Sequence, residues 1–280
     1  MHYQDNLRVG AAQINSQLGA IDANVETHLA RIAEAQQAGI ELLVFPELSL
    51  TGYSMGSRVM QLAMPLEDPR LHRLARASGT MQTVLGFVEE ASPGEYYNAL
   101  AICQHGCLIA VHRKLNLPTY GGLEEGKWFT HGNQLTRTDI VPGWSATQLI
   151  CADLWNPALV HAALLARPTV LCAPINSASG IVSDDFSNED NWSLNVRFYA
   201  MTYGTPIIMA NRFGPEGNSH FWGGSRILGS SGETLAAADE KETLIVADLS
   251  RTAIAKARFE LPTHRDADTP LIRELMQGYR

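Results

Sequence analysis

Three residues able to do chemistry together stand at the ends of apolar, β-rich runs: Glu47 after ELLVFP, Lys114 after CLIAVHR, and Cys151 inside QLICADLW. In α/β proteins functional groups collect just past the carboxyl ends of strands. A thiol, a carboxylate and an ammonium are the parts needed for nucleophilic attack by sulfur. The thiol attacks, the carboxylate carries the proton, and the cation faces the negative charge that develops. Each residue also has a plain structural reading. A buried Cys is usually a small apolar residue, and Cys103 and Cys172 are read that way. A Glu after Phe-Pro can cap the next turn, and a Lys at a strand end is usually solvated. The surroundings favour the chemical reading. FPELSLTGY (45–53) sets Glu47 between a Pro-stiffened strand end and a Thr51-Gly52 turn. HRKLNLP (112–118) ends its strand at Lys114, and LICADLWNP (149–157) places Cys151 in an apolar strand that runs into a helix start near Pro157.

Competing constellations are poorer. The chain has no G-x-S-x-G elbow and no H-E-x-x-H helix. Cys103 and Cys107, with His105 between them, could suggest zinc, but no second pair of ligands stands nearby and a hairpin turn explains the spacing. The nine histidines are scattered, and none lies in a segment that suggests a Cys–His pair. No metal or organic cofactor is expected.

The elements that must position these groups alternate strands with helices. LRVGAAQI (7–14), ELLVFPE (41–47), TVLGFVEE (83–90), YYNALAICQ (96–104), CLIAVHRK (107–114), TQLICAD (147–153), VLCAPIN (170–176) and PIIMANRF (206–213) read as strands. Ile21–Ala38, 157–166, 188–203 and 250–258 read as helices. SRILGSSGETLA and TLIVADL are expected to close a hairpin-like unit, and a second hairpin turns at His105-Gly106. Continuous apolar strands alternating with helices predict sheets covered by helices, and the hairpins predict mixed sheets. No linker, repeat or composition break divides the chain, so residues 1–280 are expected to form one domain with a polar, Pro-containing tail from about Leu261.

Hydrophobic content of 45% with 18% charged residues suits a globular protein with a large core. A net charge of −8 without a basic run argues against nucleic acid or an anionic membrane as partner. No apolar stretch approaches the roughly eighteen residues of a membrane span. The N-terminus lacks the marks of a signal peptide, and four cysteines in so long a chain do not resemble a disulfide framework, so a cytoplasmic location with reduced thiols is expected.

The three segments, in this order, resemble the nitrilase or carbon–nitrogen hydrolase superfamily, which carries a Glu–Lys–Cys triad in segments of this kind. The resemblance covers nearly the whole chain, extending to NVRFYAMTYGTPIIMANRFG (195–214) and FWGGSRILGSSGETLA. The nearest branch is the glutaminase domain of glutamine-dependent NAD synthetases, which FPELSLTGY, RKLNLPTYGGLEEGKWF and ICADLW resemble. No G-x-x-x-x-G-K-[ST] run accompanies them, so a free-standing hydrolase domain is expected. The resemblance implies a four-layer α-β-β-α sandwich of two mixed sheets and a homodimer paired through a helical face.

For the reaction it implies hydrolysis of a small-molecule amide to acid and ammonia through a thioester on Cys151. Glu47 would shuttle the proton, and Lys114 would face the oxyanion and favour the thiolate. The Ala152 backbone N–H is implied as a second oxyanion donor. Glu125 falls where amidases of the superfamily carry a second glutamate, with Glu124 able to exchange with it in this reading. Tyr120 and Trp155 would line the pocket, and Trp155 could equally be a core aromatic. Asp153 is read as ordering the turn after Cys151. Within enzymes the alternatives are a nitrilase and an N-carbamoyl-amine hydrolase; outside them, a catalytically idle binding subunit, against which the intact triad argues. PINSASGIVSDDFSNEDNW (174–192) has no Lys or Arg but has Asp184, Asp185, Glu189 and Asp190. A carboxylate-bearing substrate such as glutamine would be repelled there, whereas a neutral amide, or one with a distant ammonium, would fit. The competing reading is that Ser187 or Asn188 caps the following helix, with Glu189 and Asp190 at its positive end.

Overall fold

Runs in which every residue is apolar bury both faces of their strands, and such strands need cover on each side. The computed structural model describes residues 4–183 and 185–278 and supplies that cover as layers. The strands are β1 (Asn6–Gln13), β2 (Leu42–Val44), β3 (Gln82–Ser92), β4 (Glu95–Gln104), β5 (Cys107–Arg113), β6 (Arg137–Val141) and β7 (Trp144–Gln148). They continue as β8 (Val170–Ile175), β9 (Ile207–Asn211), β10 (Phe213–Glu216), β11 (Ser219–Trp222), β12 (Arg226–Leu228), β13 (Thr234–Ala237) and β14 (Thr243–Ser250). The helices are α1 (Ile21–Gln37), α2 (Val59–Leu62), α3 (Pro69–Ser78), α4 (Pro157–Leu165), α5 (Asn188–Tyr203), α6 (Arg251–Glu260), α7 (Thr263–Asp266) and α8 (Thr269–Gln277).

Two six-stranded mixed sheets form, in the orders β14-β1-β2-β3-β4-β5 and β13-β12-β9-β8-β7-β6. The first runs antiparallel, parallel, parallel, antiparallel, antiparallel. The second, taken from β6 to β13, repeats that pattern. Leu7, Val9 and Val44 of the first sheet pack against Ala146, Ile208 and Ala210 of the second, so the sheets meet face to face. Leu43, Phe87 and Ala101 on the other face of the first sheet pack with Val25, Ile32, Leu71 and Leu74 of α1 and α3. Leu171, Ile207 and Met209 do the same with Val160, Leu164, Trp192 and Val196 of α4 and α5. The result is the expected α/β sandwich of two mixed sheets between helices.

Four local expectations are corrected. Helix α3 and strand β6 escaped the sequence pattern, as did the ribbon β10–β11. The ELLVFPE strand is paired only over Leu42–Val44, because the chain leaves the sheet before Pro46. SRILGSSGETLA does form the hairpin β12–β13, but TLIVADL crosses to the other sheet and pairs with β1 along its length, Asn6↔Ser250 to Gln13↔Thr243. Cys151 is not inside a strand: β7 stops at Gln148 and Cys151 opens a 3-10 turn over Cys151–Trp155. The segment after Leu261 returns to the body, where Thr263 Oγ1 donates to Thr202 O and the His264 ring meets Leu164 O at 2.7 Å. Among the described residues no helix is long and apolar enough to cross a membrane.

Candidate active site

Glu47 lies past β2 and is fully buried. Its loop is held from both sides. Leu48 adopts a left-handed conformation at φ 48°, and its carbonyl accepts the Thr51 and Gly52 N–H groups at 3.0 and 2.9 Å. Gly86 of β3 lies directly beneath. A Cβ there would come within 2.2 Å of Leu48 N and 2.6 Å of Pro46 O, so only glycine lets the loop seat on the strand. Ser49 completes the seat, its Oγ accepting the Gly86 N–H at 3.1 Å and meeting the His28 ring at 2.9 Å. Burial brings the His28 pKa down to about 4, so this ring is a neutral structural partner.

Lys114 follows β5 and is also fully buried, its N–H donating to Asn98 O at 2.8 Å. Its ammonium donates to Glu47 Oε1 at 2.6 Å and to Glu125 Oε1 at 2.8 Å. Two further donors hold the same carboxylates. Asn98 Nδ2 of β4 reaches Glu47 Oε1 at 2.7 Å and Glu125 Oε2 at 3.4 Å, and the Tyr53 hydroxyl donates to Glu125 Oε1 at 2.6 Å. Glu47 Oε2 is buried without a partner. Glu125 is the residue brought to this cluster. Glu124 is exposed and pairs with Lys127.

Cys151 sits at φ 44°, an unusual conformation for a side chain with a Cβ and one that recurs where function holds it. Asp153, buried, pins the turn: its carboxylate accepts the Ile150 N–H at 2.9 Å and the Leu115 and Asn116 N–H groups at 3.1 and 2.6 Å. One carboxylate thus ties the Cys151 turn to the Lys114 loop, the ordering role read from the sequence. Burial, then the Glu47 charge, push the Cys151 thiol well above its ordinary range, with Lys114 and the Asn176 backbone N–H opposing. Lys114 acts in the direction of thiolate, as expected, and burial acts against it. Burial raises the Glu125 carboxyl, against the pull of Lys114. Burial works against the Lys114 charge, but the Glu125 and Glu47 carboxylates outweigh it and hold the ammonium well above its ordinary range.

A cavity of about 290 Å3 opens beside Cys151, walled by Tyr120, Ala152, Trp155, Phe186, Asn188 and Trp192 among others. Trp155 stands edge-on to Trp192 and to Phe186, with centroids 4.8 and 6.0 Å apart. A second cavity of about 270 Å3 holds Glu125, and Tyr53, Asn176 and Ile181 border both. Among the described residues the Cys151 cavity wall carries no Lys, Arg, Asp or Glu. Asp185 is exposed and is not among the residues that wall either cavity; Asp184 lies outside the described residues. Ser187 caps α5, its Oγ accepting the Asp190 N–H at 3.3 Å, with Glu189 and Asp190 in the first turn. Those acids stand at the positive end of the helix.

Tyr53, Asn98 and Asn176 were not singled out from the sequence. Asn98 left a signal, a lone amide inside the otherwise apolar YYNALAICQ run. Tyr53 stood at the end of the quoted FPELSLTGY segment, and Asn176 closed VLCAPIN. The Cys103/Cys107 pair is the strand-end hairpin, with Cys103 buried, Cys107 exposed and His105 in the turn at φ 54°.

The family model described as carbon-nitrogen hydrolase matches residues 8–259. The chain is 30% identical over 233 residues to glutamine-dependent NAD(+) synthetase of Thermotoga maritima, covering 82% of this chain but only 39% of that protein. It is 28% identical to N-carbamoylputrescine amidase of Solanum tuberosum, over 91% of this chain and 90% of that one. In structure it is similar to a carbon-nitrogen hydrolase from Helicobacter pylori, with a TM-score of 0.85 at 24% identity, covering 98% of this chain and 99% of that one.

Proposed function

The chain belongs to the carbon–nitrogen hydrolase family, and from that premise we propose that it hydrolyses a small-molecule amide to a carboxylic acid and ammonia through a thioester on Cys151. One observation carries the reading: a single buried ammonium, Lys114, is bonded to two buried carboxylates, and Cys151 opens on a cavity that shares its wall with the cavity holding Glu125. A protonated thiol needs a base at the moment of attack. Glu47 has an oxygen without a protein partner and takes that proton as sulfur bonds to the carbonyl carbon. The carbonyl electron pair moves onto oxygen, facing Lys114 and the Ala152 N–H. As the intermediate collapses, Glu47 returns the proton to nitrogen, the C–N bond breaks and ammonia leaves. Water then attacks the thioester, giving its proton to Glu47, and the departing sulfur recovers it.

Glu125, with Tyr53 and Lys114 fixing one oxygen, would accept the amide N–H and later orient the water. A primary amide offers two N–H donors to these acceptors and a nitrile offers none, which supports the amide over the nitrile. A carbamoyl group offers the same donors, and the similarity to N-carbamoylputrescine amidase makes that the second reading. An idle binding subunit would gain nothing from a desolvated ion cluster of this kind. The test is ammonia release from neutral short-chain amides, matched nitriles and N-carbamoyl amines. Glu125→Gln should lower kcat by about a hundredfold or more while KM changes little. Glu124→Gln should leave both constants in place. A loss confined to Glu124→Gln would reassign the role.

Pairing through a helical face is part of the proposal. Leu194, Phe198 and Met201 of α5 are 69, 52 and 48% exposed, and Phe259 at the end of α6 is 83% exposed. So many large apolar side chains suit burial by a second copy. Sedimentation should give the mass of two or more chains; a single-chain mass at micromolar concentration would refute the pairing.

A further inference from the structure

The Ser177 hydroxyl has three neighbours: Trp192 Nε1 at 3.1 Å, Trp222 Nε1 at 3.2 Å and the Asn188 amide at 3.0 Å. An indole N–H can only donate, and a hydroxyl has two acceptor sites and one proton. The two tryptophans therefore fill both acceptor sites. An Asn188 amide turned with Nδ2 toward Ser177 would give the hydroxyl three donors and leave its proton without an acceptor. The opposite orientation, sterically equivalent, satisfies the hydroxyl: Ser177 donates to the amide oxygen, and the end of Asn188 without a partner becomes its NH2 group. The other end of the Asn188 amide is buried and has no partner in the protein, and Asn188 is one of the residues that wall the Cys151 cavity. Asn188 is itself only 6% exposed.

We propose that Asn188 is a specificity residue that presents its NH2 group to the acyl end of the cavity and selects amides whose acyl chain carries an uncharged oxygen acceptor. The inference rests on the amide-hydrolase reading for the position of the acyl group. A buried donor left unmatched is costly, so a substrate that supplies an acceptor gains over one that does not. The acceptor is uncharged because the cavity wall carries no Lys or Arg among the described residues, and a carboxylate there would lose its hydration without a cation to offset it. Trp155, Phe186 and Ile181 supply the apolar remainder of the wall.

Three amides of one shape separate the possibilities: levulinamide ends in a ketone, isocaproamide has a methyl in place of the oxygen, and succinamate ends in a carboxylate. Homologues one methylene shorter and longer cover the reach. At the best length the wild-type protein should prefer the ketone over the hydrocarbon by about tenfold in kcat/KM, with the carboxylate last. Asn188→Leu should bring the ketone-to-hydrocarbon ratio to about one, and Asn188→Asp, which turns an acceptor to the cavity, should invert it. Circular dichroism establishes that each variant is folded, and the wild-type ratio stands without them. Calorimetric binding of the same compounds to Cys151→Ala repeats the comparison without chemistry. Binding selectivity in a protein that hydrolyses none of them would refute the hydrolase reading and keep the role of Asn188. Hydrolysis with no preference at any length, or a preference unchanged in Asn188→Leu, would overturn the role of Asn188 alone.

Discussion

Cys151→Ala is expected to lower ammonia release by about four orders of magnitude or more while the protein stays folded. Groups that act as one unit lose nearly the whole rate enhancement when the nucleophile goes. The structural cost is small, since one sulfur atom beside a cavity is removed and the Asp153 bonds that hold the turn are to backbone N–H groups. The companion variant is Glu47→Gln, which keeps the shape of the side chain and removes the base. It should release no ammonia and build up no acyl adduct, because attack, departure of nitrogen and deacylation all pass through that base. Wild-type protein quenched during turnover should show the adduct in its intact mass. Peptide mapping should place the adduct on Cys151. Cys103 and Cys172 are fully buried and line neither cavity, and burial pushes their thiols up to about 12. Cys107 is exposed, in the β4–β5 hairpin, and lines neither cavity. Ammonia release surviving in Cys151→Ala, or an adduct on any of those three, would overturn the mechanism.

The cluster was legible in the sequence where a residue type is rare in its setting. A Glu, a Lys and a Cys closing apolar runs are conspicuous, and all three lie where strands end. Local geometry was less legible. QLICAD reads as an unbroken strand because nothing marks the turn: the position at φ 44° is a cysteine, where a glycine or asparagine would have given a signal. What holds it is Asp153 reaching the Lys114 loop across the chain, a contact with no local pattern. TLIVADL looked like a hairpin partner because it follows one closely, but its partner β1 lies at the other end of the chain. The Asp185 expectation was of another kind. Charge counted along a segment says nothing of which side chains face a cavity; here Glu189 and Asp190 lie in the first turn of a helix and Asp185 is exposed. Tyr53 and Asn98 serve as donors to carboxylates that only the fold brings together.

Lys114→Met is expected to damage stability and activity together, and to do so in a pH-dependent way. The ammonium is the only cation bonded to Glu47 and Glu125 among the described residues, and all three groups are buried. Removing one partner of a buried ion cluster leaves uncompensated charge, which typically costs about 3–5 kcal/mol. The Glu125 carboxyl already lies above its ordinary range, burial being the larger cause, and losing Lys114 removes the main influence that lowers it. The sign follows. A carboxyl whose folded-state pKa exceeds its unfolded value of about 4.3 holds more protons when folded, so stability falls as pH rises through that interval. Urea unfolding should therefore show the deficit of Lys114→Met to be smaller at about pH 5 than at about pH 8. A second substitution separates charge from packing. Glu125→Gln in the Lys114→Met background removes one of the stranded carboxylates, so it should restore part of the lost stability, whereas in the wild-type background it should cost stability. That change of sign is the coupling a double-mutant cycle measures. A deficit independent of pH, with strictly additive effects, would mean that Lys114 acts by filling space and would remove the electrostatic basis of the proposed site.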